Sequence, residues 1–507
     1  MLSKQPTTIK VTPEEVLPVF SEIFSRSLVK AELSKITKAD GSKRSFYWRL
    51  FTPLIVLWCL IMQRLNTDHS CDEVVSHLHT GTADGLDGED DHQQPLSQRI
   101  NSESTSAYVQ ARERLPLILV RWALKQVWRT VCGWLHQANI PQSWRWYDHA
   151  VRLLDGTTFR LLPTPELVAS YGQATNGQGE SHWVVVRSVI TFCLHSHLSV
   201  AVTTADMHTS ESAMLYDLMV DDEPNTIFVG DINFGVYRTV QTARSFGQHV
   251  LLRLRRDRFE ALRRTIDHPA PLRSGQEWQV LWTPGPQIRS DPRLPRVAIP
   301  GRLLYLHLNT RGFRPMHIFL FTTLCDETAY SFEDLCQLYA LRWQAELDYR
   351  HIKTTLKMEE FAAHSTAIFQ LELMAGLLTY NLIRAMMVKA ALAANCSPLQ
   401  LSFQQSLRRL RDALLTGVPA WVAQSGHILD HLLERLAKCR LPNRPNKIRH
   451  EPRMVRRRPQ IYPVLRGDRT AARQKNLLKL GFIPPTTTSH PLTARTSLVQ
   501  SVLGANS

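Results

Sequence analysis

The sequence predicts a mixed α/β fold: a sheet-bearing core with a β-rich insertion, an all-helical N-terminal domain and a helical C-terminal region. Three observations carry that expectation. Helical periodicity alone runs to about residue 136, short β-branched runs interleaved with helices begin near Trp144, and proline-studded strand-like pieces fill residues 257–314. At 507 residues the chain exceeds what one core needs, so two or three domains of roughly 100–200 residues each are expected.

The first domain, residues 1–143, is read as helical because apolar residues recur at three and four positions. Val74, Val75 and Leu78 show the pattern, as do Leu115, Leu119, Trp122, Leu124 and Val127. The strongest apolar run, Leu54 to Met62, is short of the ~20 residues a span needs and lies between Arg49 and Arg64. It reads as a buried helix, and no membrane partner is expected. Thr80 to Pro95, rich in glycine and acid, reads as an exposed loop.

Residues 144–256 begin the α/β core. Ala150–Gly156, His182–Leu194 and Leu198–Thr204 read as three strands, Ser210–Val220 as a helix, and Thr226–Asp231 as a fourth strand. A helix from Phe234 to Phe246 and a possible strand from Val250 follow. The insertion, residues 257–315, holds strand-like Trp278–Trp282 and Leu303–Leu308. Residues 316–395 complete the core with a strand at His317–Thr322, a long helical stretch Phe332–Phe361 and a helix Thr366–Ala394. Helical patterning continues through Leu436 within the last region, 396–507.

The net charge of +15 points to nucleic acid first. Between Lys438 and Lys475, 13 Lys or Arg residues face only Glu451 and Asp468, so this stretch carries +11 of that excess. Prolines 442, 445, 452, 459 and 463 break it, which suits an extended arm along phosphates; composition alone fits a solvated basic tail equally well. The N-terminus lacks signal-peptide order, and the eight cysteines form no Cys-x-x-Cys pair, which fits a reducing cytoplasm and disfavours a zinc site.

Three acids stand out by placement. Asp155 lies in a predicted strand before Gly156, Asp231 ends the apolar run Ile227–Gly230, and Glu346 lies on the helix after Tyr339. Carboxylates on neighbouring strands repel one another unless a cation sits between them, and hard oxygen donors suit Mg²⁺ or Mn²⁺. Tyr339, Arg342, Glu346 and Lys353, spaced by three, four and seven, fall on one stripe of a continuous helix. Such a face offers a carboxylate between cations, as phosphodiester chemistry requires. Taken alone, Arg342 with Glu346 is an ordinary surface pair and a strand-end Asp an ordinary turn residue. Asp221, Asp222 and Asp326 are competing acids, but each lies in a polar loop. His195 and His197 have no partner cluster in sequence and read as structural.

Tyr339-x2-Arg342-x3-Glu346-x6-Lys353 resembles, in full, the YREK signature of the insertion-sequence-four family of DDE transposases, bacterial cut-and-paste enzymes. Asp155-Gly-Thr resembles the family's first-Asp motif and Gly230-Asp231-x-Asn233-Phe234-Gly235 its second. Weaker similarities extend through Ser104–Arg112 and Arg449–Pro459. Ile232 departs from the family, where a basic residue often follows the second Asp.

The resemblance implies a ribonuclease-H-like core in which Asp155, Asp231 and Glu346 bind two metal ions, Mg²⁺ or Mn²⁺. It implies that Arg342 and Lys353 hold phosphate with Tyr339 in support. Trp343 either stacks near a flipped end nucleotide or fills a core. Arg253, Arg255 and Arg256, with Arg258, Arg263 and Arg264, are candidates to track DNA or to lie on a salt-bridged surface. Arg456, Arg457 and Arg458 of the basic arm are DNA-binding candidates. The expected partners are double-stranded DNA, as terminal inverted repeats and target, and a second copy of the chain in a synaptic complex that passes through a hairpin. The expected place is the bacterial cytoplasm, at the nucleoid. A ribonuclease-H-like nuclease without strand transfer and a catalytically silent DNA-binding protein remain as alternatives.

Overall fold

In a computed structural model of the chain, the described residues are 8–9, 13–36, 46, 49–86, 94–138, 145–266, 271–308, 316–416, 418–419, 428–441 and 468–479, less 18, 21–23, 67, 174, 177–178 and 287. They fall into two units, Met1–Gln173 with Trp183–Arg456, and Ala174–His182 with Arg457–Ser507.

The first unit opens with helices α1 (Arg26–Leu33), α2 (Pro53–Leu65), α3 (Cys71–His79), α4 (Ser106–Arg114) and α5 (Leu117–Gln137). Thr52 caps α2 by accepting from Ile55 N at 3.3 Å, and Pro53 costs nothing at the first turn because its missing N–H would be unpaired there. Apolar nearly all round, α2 is buried all round, as such a composition demands. The stripe Leu119, Val120, Ala123, Leu124, Val127, Val131 and Leu135 is the buried face of α5.

The core strands and helices follow as β1 (Val151–Leu161), α6 (Pro165–Tyr171), β2 (Val184–Cys193), β3 (Ser199–Asp206), α7 (Leu215–Met219), β4 (Ile227–Gly230), α8 (Tyr237–Ser245), β5 (His249–Arg253) and α9 (Arg256–Arg263). Strands β6 (Gln276–Trp282), β7 (Ile299–Leu308) and β8 (Met316–Thr322) come next. The sheet runs β3-β2-β1-β4-β5-β8-β7-β6, with Glu360–Phe361 as a ninth strand beside β1. Only β1–β4, β4–β5 and the Glu360–Phe361 pairing are parallel. Strands β7 and β6 thus continue the main sheet beyond β8.

Alternation along the strands gives the sheet two apolar faces. Leu153, Val229 and Leu251 belong to the core shared with α2, α5 and the later helices. Leu154, Phe228, Val250 and Leu252 pack with α7, α8 and α9 on the other face. The later helices are α10 (Phe332–Ala340), α11 (Trp343–Arg350), a π-helical turn His351–Thr355, then α12 (Thr366–Ala393), α13 (Phe403–Thr416) and α14 (Ile428–Ala437). Helix α12 is long and apolar enough to cross a membrane, but its apolar window is wholly buried within the protein. Its Glu372 meets Arg64 of α2 at 2.9 Å and Arg112 of α4 at 3.1 Å, a buried ion triad joining three helices.

In the second unit, Thr175–Asn176 pairs antiparallel with Gly179–Glu180, and α15 (Arg469–Lys479) donates from Arg469 Nη2 to Ser181 O at 3.1 Å.

Two expectations change. The long helical stretch from Phe332 to Phe361 is broken at Leu341–Arg342 and ends in a π turn and a short strand. The stretch Ser210–Val220 forms a 3₁₀ turn, Glu211–Ala213, followed by the short α7.

Candidate active site

The site forms where the strand order reverses, between β1 and β4, the crevice at which open α/β sheets bind ligands. The parallel ladder runs Val151↔Ile227, Arg152↔Phe228, Leu153↔Val229 and then stops. Two residues on along each strand stand Asp155 and Asp231, so both carboxylates project at the same level where the strands part. Strand β1 continues to Leu161 paired with β2 on its other side, which leaves one edge of its backbone open beside the site.

Helix α11 packs on β1 beside that opening. The Tyr349 hydroxyl inserts between β1 and β2, accepting from Ile190 N at 3.0 Å and donating to Asp155 O at 2.7 Å. Lys353 Nζ donates to Thr158 O at 3.1 Å, and Arg160 N donates to Glu359 O at 3.1 Å. Glu346 therefore arrives on a helix bonded to the Asp155 strand at several points. Asp348, its inward-facing neighbour, is 1% exposed and accepts from Arg384 Nη2 at 2.7 Å and Tyr380 OH at 2.9 Å; its other oxygen lies 2.6 Å from His197 Nδ1. This network pins α11 to α12 and to the β2–β3 turn, and gives His197 the structural part expected of it.

The electrostatics are those of crowded acids. Burial pushes Asp155 up to about 7, and the Asp231 and Glu346 charges add to it against the Gly156 N–H and Arg342. Gly156 N donates to Asp155 Oδ1 at 2.9 Å, and Asn233 N to Asp231 Oδ1 at 2.9 Å. Arg342 Nη2 holds Glu346 Oε1 at 3.0 Å. Tyr339, buried behind it, has its phenol raised by burial and faces both Arg342 and Arg253. Among the described residues, no three His, Cys, Asp or Glu side chains stand close enough to close on an ion as they are.

The family model described as the transposase DDE domain matches residues 146–382, which span all three acids. The transposase InsG of insertion sequence element IS4, from Escherichia coli K12, is 25% identical over 418 residues, covering 81% of this chain and 86% of that one. The chain is a DNA transposase with a DDE domain, similar to the transposase of insertion sequence element IS4. InsZ of the same strain is 27% identical over 180 residues, 35% of this transposase and 52% of InsZ. Among solved structures, the piggyBac transposase in its synaptic complex with hairpin DNA is similar over 85% of this chain and 88% of that one, at 10% identity and a TM-score of 0.38, a level that decides nothing about the site.

The competing acids of the transposase have other partners. Arg152 grips Asp222 through two bonds of 2.7 and 2.9 Å, Asp221 lies 3.5 Å from Lys125, and Asp326 accepts from Thr328 N and Ala329 N within its turn. Trp343 is 54% exposed beside Arg342, so it does not fill a core. Arg255 and Arg256 are exposed at the start of α9, while Arg253 is half-buried at the end of β5. Arg258 instead donates to Gly235 O in the Asp231 loop, and Arg263 pairs with Glu260 at 3.1 Å, so these two have structural partners. Arg456, Arg457 and Arg458 lie outside the described residues. Sequence reasoning missed Tyr349, Asp348 and Glu211. The first two sit in the signature helix itself. Glu211, half-buried in the turn after β3, has its carboxyl raised by burial and faces Asp231 and Arg187.

Proposed function

We propose that Asp155, Asp231 and Glu346 are the catalytic carboxylates of this transposase and hold two divalent ions, Mg²⁺ or Mn²⁺. The observation that carries this reading is the shared level of Asp155 and Asp231 where β1 and β4 part, with the helical segment of Glu346 bonded to β1 beside the gap. The donor set fits hard cations: three carboxylates, one of them so desolvated among like charges that its ionised form needs a counter-charge. Bound there, the ions supply charge neutralisation and a deprotonated nucleophile near neutral pH.

The chain's own contribution is position. Strand backbone fixes two carboxylates, and α11 presents the third through contacts that do not involve Glu346 itself. Arg342 keeps Glu346 oriented through one nitrogen, and its planar fork has further donors for phosphate oxygens. Tyr339 packs behind Arg342 and limits its freedom. Lys353 places a cation beside β1 three residues past Asp155. The exposed Trp343 offers a ring face to an unstacked base. Arg253, Arg255 and Arg256 extend the cationic surface.

The strand order β3-β2-β1-β4-β5, three antiparallel and then parallel, supports reading this half of the sheet as a ribonuclease-H-like core. On this reading residues 1–143 recognise the terminal inverted repeats, 144–256 and 316–395 make the core, and 257–315 are the insertion before the third acid. Residues 396–507 supply dimer contacts and, through Arg456, Arg457 and Arg458, a DNA-binding arm. The enzyme acts as a homodimer in a synaptic complex, on element ends and target, at the nucleoid in the bacterial cytoplasm.

The test incubates the full chain and Glu346→Ala with Mg²⁺ or Mn²⁺ and a labelled duplex bearing the element's own ends. Cleavage and joining are expected to fall at least about a hundredfold in the variant. Wild-type cutting and joining by Glu346→Ala would overturn the assignment.

A further inference from the structure

We infer that Tyr349 is a positioning residue for the catalytic site: its hydroxyl sets the plane of the Asp155–Gly156 peptide and so aims the Asp155 carboxylate. The inference rests on the reading of Asp155, Asp231 and Glu346 given above. Asp155 and Ile190 are partners across the β1–β2 ladder. Opposite residues of an antiparallel ladder either exchange N–H···O bonds or turn those groups to the other side. Here a side chain from another element enters the rung, accepting from Ile190 N at 3.0 Å and donating to Asp155 O at 2.7 Å. The peptide that follows Asp155 is one rigid unit, with its carbonyl at one end and the Gly156 N–H at the other. Tyr349 holds the carbonyl, and the Gly156 N–H donates to Asp155 Oδ1 at 2.9 Å. Turning the carbonyl therefore turns the donor that orients the carboxylate.

The setting of Tyr349 suits that contact. The residue is buried, and its ring meets Phe192 of β2 edge-on at 5.3 Å, which holds the phenol at the rung. It stands three residues after Glu346, about one turn along α11, so the short helix that carries the third acid grips the main chain of the first. Phenylalanine would fill the same space and leave Ile190 N and Asp155 O either to close into a direct rung, which moves the Asp155 peptide, or to stay unpaired. Both results release the peptide plane from the helix. The alternative is that Tyr349 only fills space between α11 and the sheet, its hydroxyl adding stability without touching the geometry of the acids.

The experiment titrates Mn²⁺ into the full chain without DNA and follows the free ion by electron paramagnetic resonance, so no turnover enters. Wild type, Tyr349→Phe, Tyr349→4-aminophenylalanine, Tyr108→Phe and Asp155→Asn are compared at a temperature where metal-free thermal unfolding shows each to be folded. Tyr349→Phe is expected to raise the Mn²⁺ Kd roughly tenfold, the scale on which groups behind a metal ligand act. The 4-aminophenylalanine ring restores a neutral donor and acceptor at the same place and should recover part of that loss. Tyr108, buried on α4, donates its hydroxyl to Gln63 Oε1 at 3.1 Å in the helical domain. Tyr108→Phe should lose stability and keep the wild-type Kd. If Tyr349→Phe binds as tightly as wild type, or Tyr108→Phe weakens binding equally, while Asp155→Asn loses the ion, the inference about Tyr349 is wrong and the three-carboxylate reading stands. No recovery by 4-aminophenylalanine would assign the loss to packing and overturn the inference as well. If Asp155→Asn binds as wild type, the three-carboxylate reading fails with it.

Discussion

Replacing Asp348 with Asn tests whether the buried network behind Glu346 holds the helix that carries Glu346 in place. The side chain is 1% exposed and meets Arg384 at 2.7 Å, Tyr380 at 2.9 Å and His197 at 2.6 Å. Asparagine keeps the volume and one acceptor but loses the charge opposite a buried guanidinium, and it sets an NH₂ donor among groups that already donate. Breaking a buried ion pair from one side costs about 3–5 kcal/mol. The retained acceptor puts Asp348→Asn near the lower end, about 3 kcal/mol. Urea unfolding followed by circular dichroism measures this directly, and a loss below about 1 kcal/mol would refute the claim that the network is a charged, desolvated one. Strand transfer in dilute buffer, where the variant stays folded, tests the positioning. It should drop at least about tenfold, since small misplacements of reacting groups are costly, while end-DNA binding stays near wild type. Full transfer in a destabilised variant would show that α11 keeps its place without Asp348.

Acid should weaken the fold well above the carboxylate range. Burial holds His69, His195 and His249 down to about 4 and His351 to about 3, against roughly 6.5 when unfolded. Folded pKa values below unfolded ones mean that the unfolded chain binds more protons between them, so stability is full above pH ~6.5 and falls as pH drops through the window. Each histidine contributes up to about 1.4 kcal/mol per pH unit there; a melting temperature flat from pH 7 to 5 would contradict this. Glu372→Gln should cost about 3 kcal/mol by leaving Arg64 and Arg112 unpaired between α2, α4 and α12. It should leave Mn²⁺ binding unchanged, and the two readouts are a urea midpoint and a Mn²⁺ titration that follows the free ion by electron paramagnetic resonance.

What could be read from the chain divides by the range of the forces involved. Short apolar runs located β1, β4 and β8, because strands buried on both faces are apolar at successive residues. Asp155 and Asp231 were legible as acids at a strand's middle and end, but their common level depends on the β1–β4 register, which no local pattern carries. The break at Leu341–Arg342 was hidden because Leu, Arg and Trp are all compatible with helix, and both residues keep helical backbone angles. The one-stripe argument for Tyr339, Arg342, Glu346 and Lys353 therefore assumed a straighter helix than exists. Tyr349 looked like an ordinary helix aromatic, since its hydroxyl's partners lie 159 and 194 residues away. Glu211 looked like an ordinary first-turn acid; only folding brings it to Gly156.

The open edge of β1 has a consequence for how a bound strand would be held. Past Leu153 this edge has no neighbouring strand until Glu360–Phe361, and Lys353 covers Thr158 O within the interval. An ammonium has three donors, and here one goes to main chain. An anion taken by the other two would be fixed relative to the backbone of the Asp155 strand rather than to the tip of a free side chain. The Tyr349 and Lys353 contacts are four residues apart on the helical segment, ~6 Å of rise, and three apart on the strand, ~10 Å. The long lysine stem spans that mismatch. A shorter cation would not reach Thr158 O, and an adhesive strand edge would then open beside the three acids.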